Sequence, residues 1–130
     1  MSTQRPSAAR SDATPPPRQR RFLRAAVDLA ARYVVGSETS ERDGSVRDLG
    51  GGGLRLSSAD DLAPGTGVTV RFSLPADGTD VTVAGRIVMS FLNGTTKRFE
   101  HGIAFTQIEA GRQAAVVAYI QELSPGAEPG

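Results

Sequence analysis

From Val27 to Phe105 the large apolar side chains recur at alternate positions, in short stretches separated by turn dipeptides. That is the repeat of a strand with one buried face. Val27, Leu29, Ala31, Tyr33 and Val35 form the first such face, with Asp28 and Arg32 opposite, and Asp43-Gly44 reads as the turn that follows. Val46 and Leu49 are three apart, so they share a face only if an extra residue bulges the strand between them. Leu54 and Leu56 alternate with Arg55 and Ser57, and Pro64-Gly65 turns the chain into Val68, Val70, Phe72 and Leu74. After Asp77-Gly78, residues Val81, Val83, Ile87, Met89 and Phe91 share one parity; Asn93-Gly94 then precedes a strand with Phe99, Ile103 and Phe105 inward. The period changes at the end. Val116, Tyr119, Ile120 and Leu123 follow i, i+3, i+4, i+7, which predicts one amphipathic helix over 109–123, stopped by Pro125-Gly126. Six short antiparallel strands of this kind close into a barrel or a tight sandwich, with the helix capping an open side.

The 130 residues allow one small domain and a tail. Residues 1–17, rich in Ser, Ala, Thr and Pro, are expected to be a disordered tail that stiffens at Pro15-Pro16-Pro17. The domain is expected over 18–124, with a flexible C-terminus at 125–130. The absence of Cys excludes disulfides, thiolate metal sites and thiol catalysis. No apolar run reaches the roughly 20 residues of a membrane helix, and no secretory signal precedes the domain, so a cytoplasmic protein without membrane insertion is expected. The net charge of +1 hides an asymmetry. Residues 1–24 hold six Arg against one acid, Asp12, a balance of +5, so the rest of the chain sums to −4. A basic arm on a mildly acidic body suits an anionic partner, although a merely solubilising tail has the same composition.

Two segments carry the chemistry. Arg20-Arg21-Phe22-Leu23-Arg24 clusters guanidinium groups, planar forks that grip phosphate oxygens bidentately, stack on purines and match the O6 and N7 acceptors of guanine. Arg20 and Arg24 lie about 13 Å apart in an extended chain and about 6 Å apart in a helix. Asp48-Leu49-Gly50-Gly51-Gly52-Gly53 supplies a carboxylate able to accept from guanine N–H donors, then a backbone that a ligand can approach closely. A turn carboxylate capping backbone N–H groups and a hairpin needing glycines at positive φ are the plainer readings. His101 reads as a strand residue, because no His, Asp or Glu cluster accompanies it. Arg47, Arg55, Arg71 and Arg86 fall on outward positions; Arg47 and Arg55 flank the proposed site.

In this order and on this strand pattern, the two segments resemble the signature of PilZ domains, the bacterial receptor modules for cyclic di-GMP. The family pattern is RxxxR before the first strand and (D/N)xSxxG some 20–30 residues later. Residues 20–24 match the first part, and Asp48 and Gly53 match the second. Val46-Arg47-Asp48-Leu49, Gly53-Leu54-Arg55-Leu56 and Gly102-Ile103-Ala104-Phe105 are also similar to the family. The resemblance covers roughly residues 18–123. It implies an all-β dominated fold: a six-stranded antiparallel β-barrel with a C-terminal α-helix and a disordered N-terminal tail.

The resemblance also implies roles. Arg20 and Arg24 would hold the phosphates and stack on or hydrogen-bond the guanines, with Arg21 as helper. Asp48 would bind a guanine edge, and Gly53 would allow the tight turn that presents the site. Arg18, Gln19, Arg47, Arg55 and Met89 are possible additional contacts; Met89 falls near a place where many relatives carry an aromatic. One departure is clear: Gly50 stands where the family has Ser. Losing a hydroxyl contact costs about 0.5–1.5 kcal/mol, or up to about 3 toward a charged phosphate. That weakens binding by a few-fold to about a hundredfold. Neither a nucleophile–base order, a P-loop nor a dinucleotide fingerprint is present, so the expectation is a non-enzyme with no cofactor or metal. Its partners would be cyclic di-GMP and an effector protein. Two alternatives remain open: a PilZ-like adaptor that has lost the nucleotide, and a small barrel whose basic tail binds nucleic acid non-specifically. The strands lack the aromatics of a single-strand platform, which makes nucleic acid the poorest fit.

Overall fold

The structure, a computed structural model, describes residues 24–123. Seven elements follow in chain order: β1 (Arg24–Val35), β2 (Arg42–Gly50), β3 (Gly53–Ser58), β4 (Gly67–Ser73), β5 (Asp80–Asn93), β6 (Arg98–Gln107) and α1 (Ala110–Leu123). The strands form a closed antiparallel barrel in the order β1-β2-β3-β6-β5-β4. The sequence alternatives of barrel and sandwich thus resolve to the barrel. The expected tail, Arg18 to Arg21 and the C-terminal residues 125–130 lie outside the described residues.

The interior is filled by the alternating set. Tyr33, Val46, Leu49, Leu54, Leu56, Val70, Val81, Val83 and Ile87 are each buried to 1% exposure or less. Val46 and Leu49 do share the inner face, because Arg47 is an extra residue between the Val46↔Leu56 and Asp48↔Arg55 pairs. From α1, Val116 and Ile120, one turn apart, complete the core. Leu123, on the same predicted stripe, stays 46% exposed. The helix is also tied to the β2–β3 turn, where the Gln113 side-chain amide donates to the Gly51 carbonyl at 2.8 Å.

Three local readings need correction. Asp43-Gly44 is not a turn: both residues lie inside β2, and the chain reverses at Gly36, whose φ is 56°. Gly44 is small for packing, since a Cβ there would stand 3.0 Å from Leu56 Cδ1 and 3.2 Å from Tyr33 Cε1. Met89 and Phe91 do not continue the inner face of Val81, Val83 and Ile87. The β5–β6 register shifts between Ile87 and Met89, and the extra residue, Val88, turns the following side chains over. Met89 and Phe91 therefore point outward, while Ser90 and Leu92 pair with the inner positions His101 and Phe99. Finally, among the described residues the glycines with positive φ are Gly36, Gly65 and Gly78, not the run Gly50–Gly53. Gly53 is required by proximity instead: a Cβ on it would lie 2.6 Å from the Ile103 carbonyl oxygen.

Candidate functional site

The barrel places one row of outward positions side by side on five strands. Ala26 opposes Asp48, Asp48 opposes Arg55, and Arg55 opposes Gly102, which opposes Met89. Neighbouring strands are about 4.8 Å apart, so the row from Asp48 to Met89 runs about 14 Å over the barrel wall. Arg24 opens β1 directly opposite Gly50, two positions from the row and on the same face. Its guanidinium Nε lies 3.3 Å from Asp48 Oδ1. The two halves of the sequence pattern therefore meet in space through Arg24 and Asp48.

The Asp48 and Arg55 side chains of this row are partly exposed, but three polar atoms in and beside the row are buried and not satisfied. Asp48 Oδ1, Arg55 Nε and Glu100 Oε1 are all withdrawn from solvent and lack a hydrogen-bond partner among the described residues. Each sits close to an opposite charge, with Arg55 Nε 3.4 Å from Glu100 Oε1. The distances are those of ion pairs, but the angles are not those of hydrogen bonds. An unpaired buried polar atom costs about 1–3 kcal/mol, and native folds leave few of them. The rest of the Asp48 and Arg55 side chains is 30% and 40% exposed, so it is their outer atoms that a polar partner on this face can reach.

The surroundings hold this surface open. Gly102 contributes no side chain between Arg55 and Met89, and a Cβ there would touch Met89 Cγ at 3.4 Å. The glycine turn is pinned from two sides. Besides the bond from Gln113 to Gly51, the Phe105 N–H donates to the Gly52 carbonyl at 3.0 Å. Gly53 then pairs with Ala104 and lets β3 lie against β6. The glycines thus fix Asp48 and Arg55 relative to β6 through close backbone approach.

Of the sequence candidates, Arg24, Asp48, Gly50, Gly53, Arg55 and Met89 come together on this face. Arg47 is the bulged residue beside them. Arg18, Gln19, Arg20 and Arg21 lie outside the described residues. Sequence reasoning missed Glu100 and Gly102. Glu100 is 3% exposed although it stands at an outward position, paired with Ser57 and Phe91. Its ion pair joins β3 to β6, strands some 45 residues apart in the chain, and nothing local signals it.

Two other places on the barrel gather polar groups. A cavity of about 690 Å³ lies against β1, β2 and β4, lined in part by Asp28, Arg32, Asp43 and Arg71. Its cations are already matched: Arg32 to Asp43 at 3.0 Å and Arg71 to Glu41 at 2.7 Å. That neutralised surface is a poor receptor for a charged ligand. The second place is a polar cluster around Asp60, which accepts from the Tyr33 hydroxyl and, at 3.1 Å, from Arg42. Burial pushes the Tyr33 phenol up, and the Tyr33 hydrogen bond holds the Asp60 carboxyl below its ordinary value. Nearby, His101 is fully buried, and its Nε2 accepts from the Leu62 N–H at 3.2 Å. Burial is the main cause that depresses its pKa, against the opposing influence of the Leu56 backbone, Asp61, Glu100 and Asp60. The sequence reading of His101 as a strand residue holds. Among the described residues no group of three or more His, Cys, Asp or Glu could hold a metal ion. No helix among them is long and apolar enough to cross a membrane.

Comparison with known proteins gives a consistent picture. Residues 18–122 match the PilZ domain family. No curated protein matches the chain in sequence. Among solved structures, the inhibitor of motility MotI/DgrA of Bacillus subtilis superposes with a TM-score of 0.70 at 17% identity, covering 82% of this chain and 52% of that one. This chain thus spans about half the length of that relative. The PilZ domain of CeSA from a cellulose-synthesizing bacterium gives 0.58 at 19% identity, covering 78% and 98%. The PilZ domain of YcgR from Escherichia coli, solved with c-di-GMP, gives 0.55 at 11% identity, covering 84% and 99%.

Proposed function

This chain belongs to the PilZ domain family, and from that premise we propose that it is a cytoplasmic, non-enzymatic receptor for cyclic di-GMP. The observation that carries the reading is the meeting of Arg24 and Asp48 at 3.3 Å beside two further buried, unsatisfied polar atoms. Arg24, joined by Arg20 and Arg21 from the preceding segment, holds phosphates and guanine faces. The partly exposed Asp48 carboxylate accepts from a guanine Watson–Crick edge. Arg55, steadied by Glu100, offers donors to O6 and N7, and Met89 supplies an apolar bed for a base. The row's length of about 14 Å suits a ligand with two guanines rather than a single phosphate. In the complex, residues 18–24 lie against the nucleotide and change the surface that an effector protein meets.

Calorimetry with purified protein and cyclic di-GMP tests this. Binding is expected, with slower hydrogen exchange over residues 18–24 in the complex. Asp48→Ala and Arg24→Ala each remove charged hydrogen bonds of about 1.5–3 kcal/mol, which weakens binding roughly ten- to hundredfold. Gly50→Ser, facing Arg24 across the β1–β2 pair, strengthens it. No heat at 100 µM ligand would refute the reading. A second reading is favoured by Gly50 alone: a PilZ adaptor that engages protein and ignores the nucleotide. Effector binding that changes on adding cyclic di-GMP would exclude it.

A further inference from the structure

The far half of β5 carries more apolar surface than a barrel wall needs. Val88 is 61% exposed, Leu92 55%, Met89 46% and Phe91 45%. The bulge at Val88 creates this patch. It turns Met89 and Phe91 outward and leaves Val88 beside them, since a Cβ on Gly102 would meet Met89 Cγ at 3.4 Å and Val88 Cγ2 at 3.6 Å; Leu92, paired with Phe99, is exposed on the other side of the hairpin. A contiguous apolar patch on a small domain marks an interaction site.

Charge says what covers it. Between Asp80 and Glu100 the chain contains no acid, but it contains Arg86, Lys97 and Arg98. Arg86 donates to the Gly65 carbonyl and Arg98 to Ser57, both uncharged acceptors. None of the three is ion-paired among the described residues. A second copy of this chain is a poor occupant, because a two-fold interface sets each cation against its own kind. A lipid surface is also a poor one. The tip of the hairpin, Asn93 to Thr96, is polar and folded on itself, with Thr95 N–H and Thr96 N–H bonded to Asn93 Oδ1 at 2.9 and 3.2 Å. The apolar side chains lie behind that tip and cannot lead into a bilayer.

We propose that the β5–β6 hairpin is the docking surface for a protein segment with an apolar stripe flanked by carboxylates. Val88 and Phe91, flanking Met89, receive the stripe, and Arg86, Lys97 and Arg98 receive the acids. Met89 belongs both to this patch and to the row described above, so an occupant of either surface is sensed by the other. The proposal does not depend on nucleotide binding and is tested without it. The probe is a synthetic amphipathic peptide with a Leu/Phe stripe flanked by Glu, compared with the same peptide flanked by Lys. Fluorescence anisotropy is expected to show the Glu peptide binding at least about tenfold more tightly, a gap of about 1.4 kcal/mol. Backbone amide shifts should concentrate between Val88 and Arg98. Phe91→Asp and Lys97→Glu should each abolish the preference, with unchanged melting temperatures because both side chains are exposed. If Phe91→Asp melts lower, Val88→Thr serves in its place. Equal binding of the two peptides, or shifts centred elsewhere, would overturn the proposal. So would tight binding to phosphatidylglycerol vesicles with no peptide preference, or a dimer in sedimentation that Phe91→Asp abolishes.

Discussion

Gly53→Ala is the substitution that separates the two meanings of a motif glycine. If Gly53 served a turn needing positive φ, a methyl group would act through backbone strain. In the structure it acts through contact, because the new Cβ would stand 2.6 Å from the Ile103 carbonyl oxygen. A comfortable carbon–oxygen approach is about 3.3 Å or more, so β3 and β6 must part by about 0.7 Å. Both groups are backbone in paired strands, so neither can rotate away. The Phe105 N–H to Gly52 carbonyl bond, now 3.0 Å, would stretch past hydrogen-bonding range, and the adjacent Leu54↔Ile103 pairing would loosen. One or two lost bonds at about 0.5–1.5 kcal/mol each give a cost of about 1–3 kcal/mol, the range known for overpacked cores. The narrower unfolded ensemble of Ala returns about 0.4–1 kcal/mol. The net loss is therefore about 0–2.6 kcal/mol against the unsubstituted protein, and about 1–3 kcal/mol against another Gly→Ala variant that shares this return, a Tm gap of about 4–24 °C for a domain of this size. Gly94→Ala is the control, because nothing lies within 4 Å of its Cβ and its φ is not positive. Thermal unfolding followed by circular dichroism reads both. A Gly53→Ala protein that melts with the Gly94→Ala protein would refute the contact argument.

Other expectations are more compact. His101 is the single histidine and is held neutral by burial, so the unfolded chain takes up a proton that the fold refuses. Stability should be flat above the ordinary value of 6.5 and decline as pH falls below it. The slope reaches at most about 1.4 kcal/mol per pH unit until the depressed folded value is passed. Urea midpoints across this range would show it, and His101→Gln should remove it. Asp60 has a lowered pKa, so its contribution is present above the ordinary 3.8 and disappears only as pH falls through its folded value. Tyr33→Phe deletes the buried hydroxyl that donates to Asp60 and should cost about 1 kcal/mol in urea unfolding. Glu100→Gln leaves the Arg55 guanidinium without its counter-charge and should destabilise, by less than the roughly 3–5 kcal/mol of a fully buried pair because Arg55 is 40% exposed. It should also lower cyclic di-GMP affinity in calorimetry, because Arg55 loses its tether.

Much of the barrel was legible because burial writes itself into parity. The inner residues of β3 and β4, the turns at Pro64-Gly65, Asp77-Gly78 and Asn93-Gly94, and the bulge between Val46 and Leu49 all follow from it. The bulge at Val88 was not legible, since Ile87, Val88 and Met89 are all apolar and any of them could continue the face. Asp43-Gly44 misled for a related reason: Asp-Gly is a strong turn signal, but here the glycine makes room for Leu56 and Tyr33 across the core. At the candidate site, the two motifs singled out Arg24 and Asp48, but their approach to 3.3 Å follows from the β1–β2 register and not from motif order. Glu100 was invisible, because an outward strand position gives no hint that a guanidinium from another strand will cover it.

The strand order has a consequence for how the molecule comes apart. It consists of two three-stranded meanders, β1-β2-β3 and β4-β5-β6, joined along two seams, β3–β6 and β1–β4. The second seam is the shorter one, held by five residue pairs from Ala31↔Phe72 to Val35↔Val68. The row Asp48–Arg55–Gly102–Met89 crosses the first seam, with two members on each meander. A ligand lying along it is therefore a rivet between the halves. Opening the barrel at β3–β6 must expel the ligand, so its binding energy opposes separation of the meanders and slows unfolding as well as shifting the equilibrium. Dissociation of the halves would then begin at β1–β4, where nothing bound on the row can hold them.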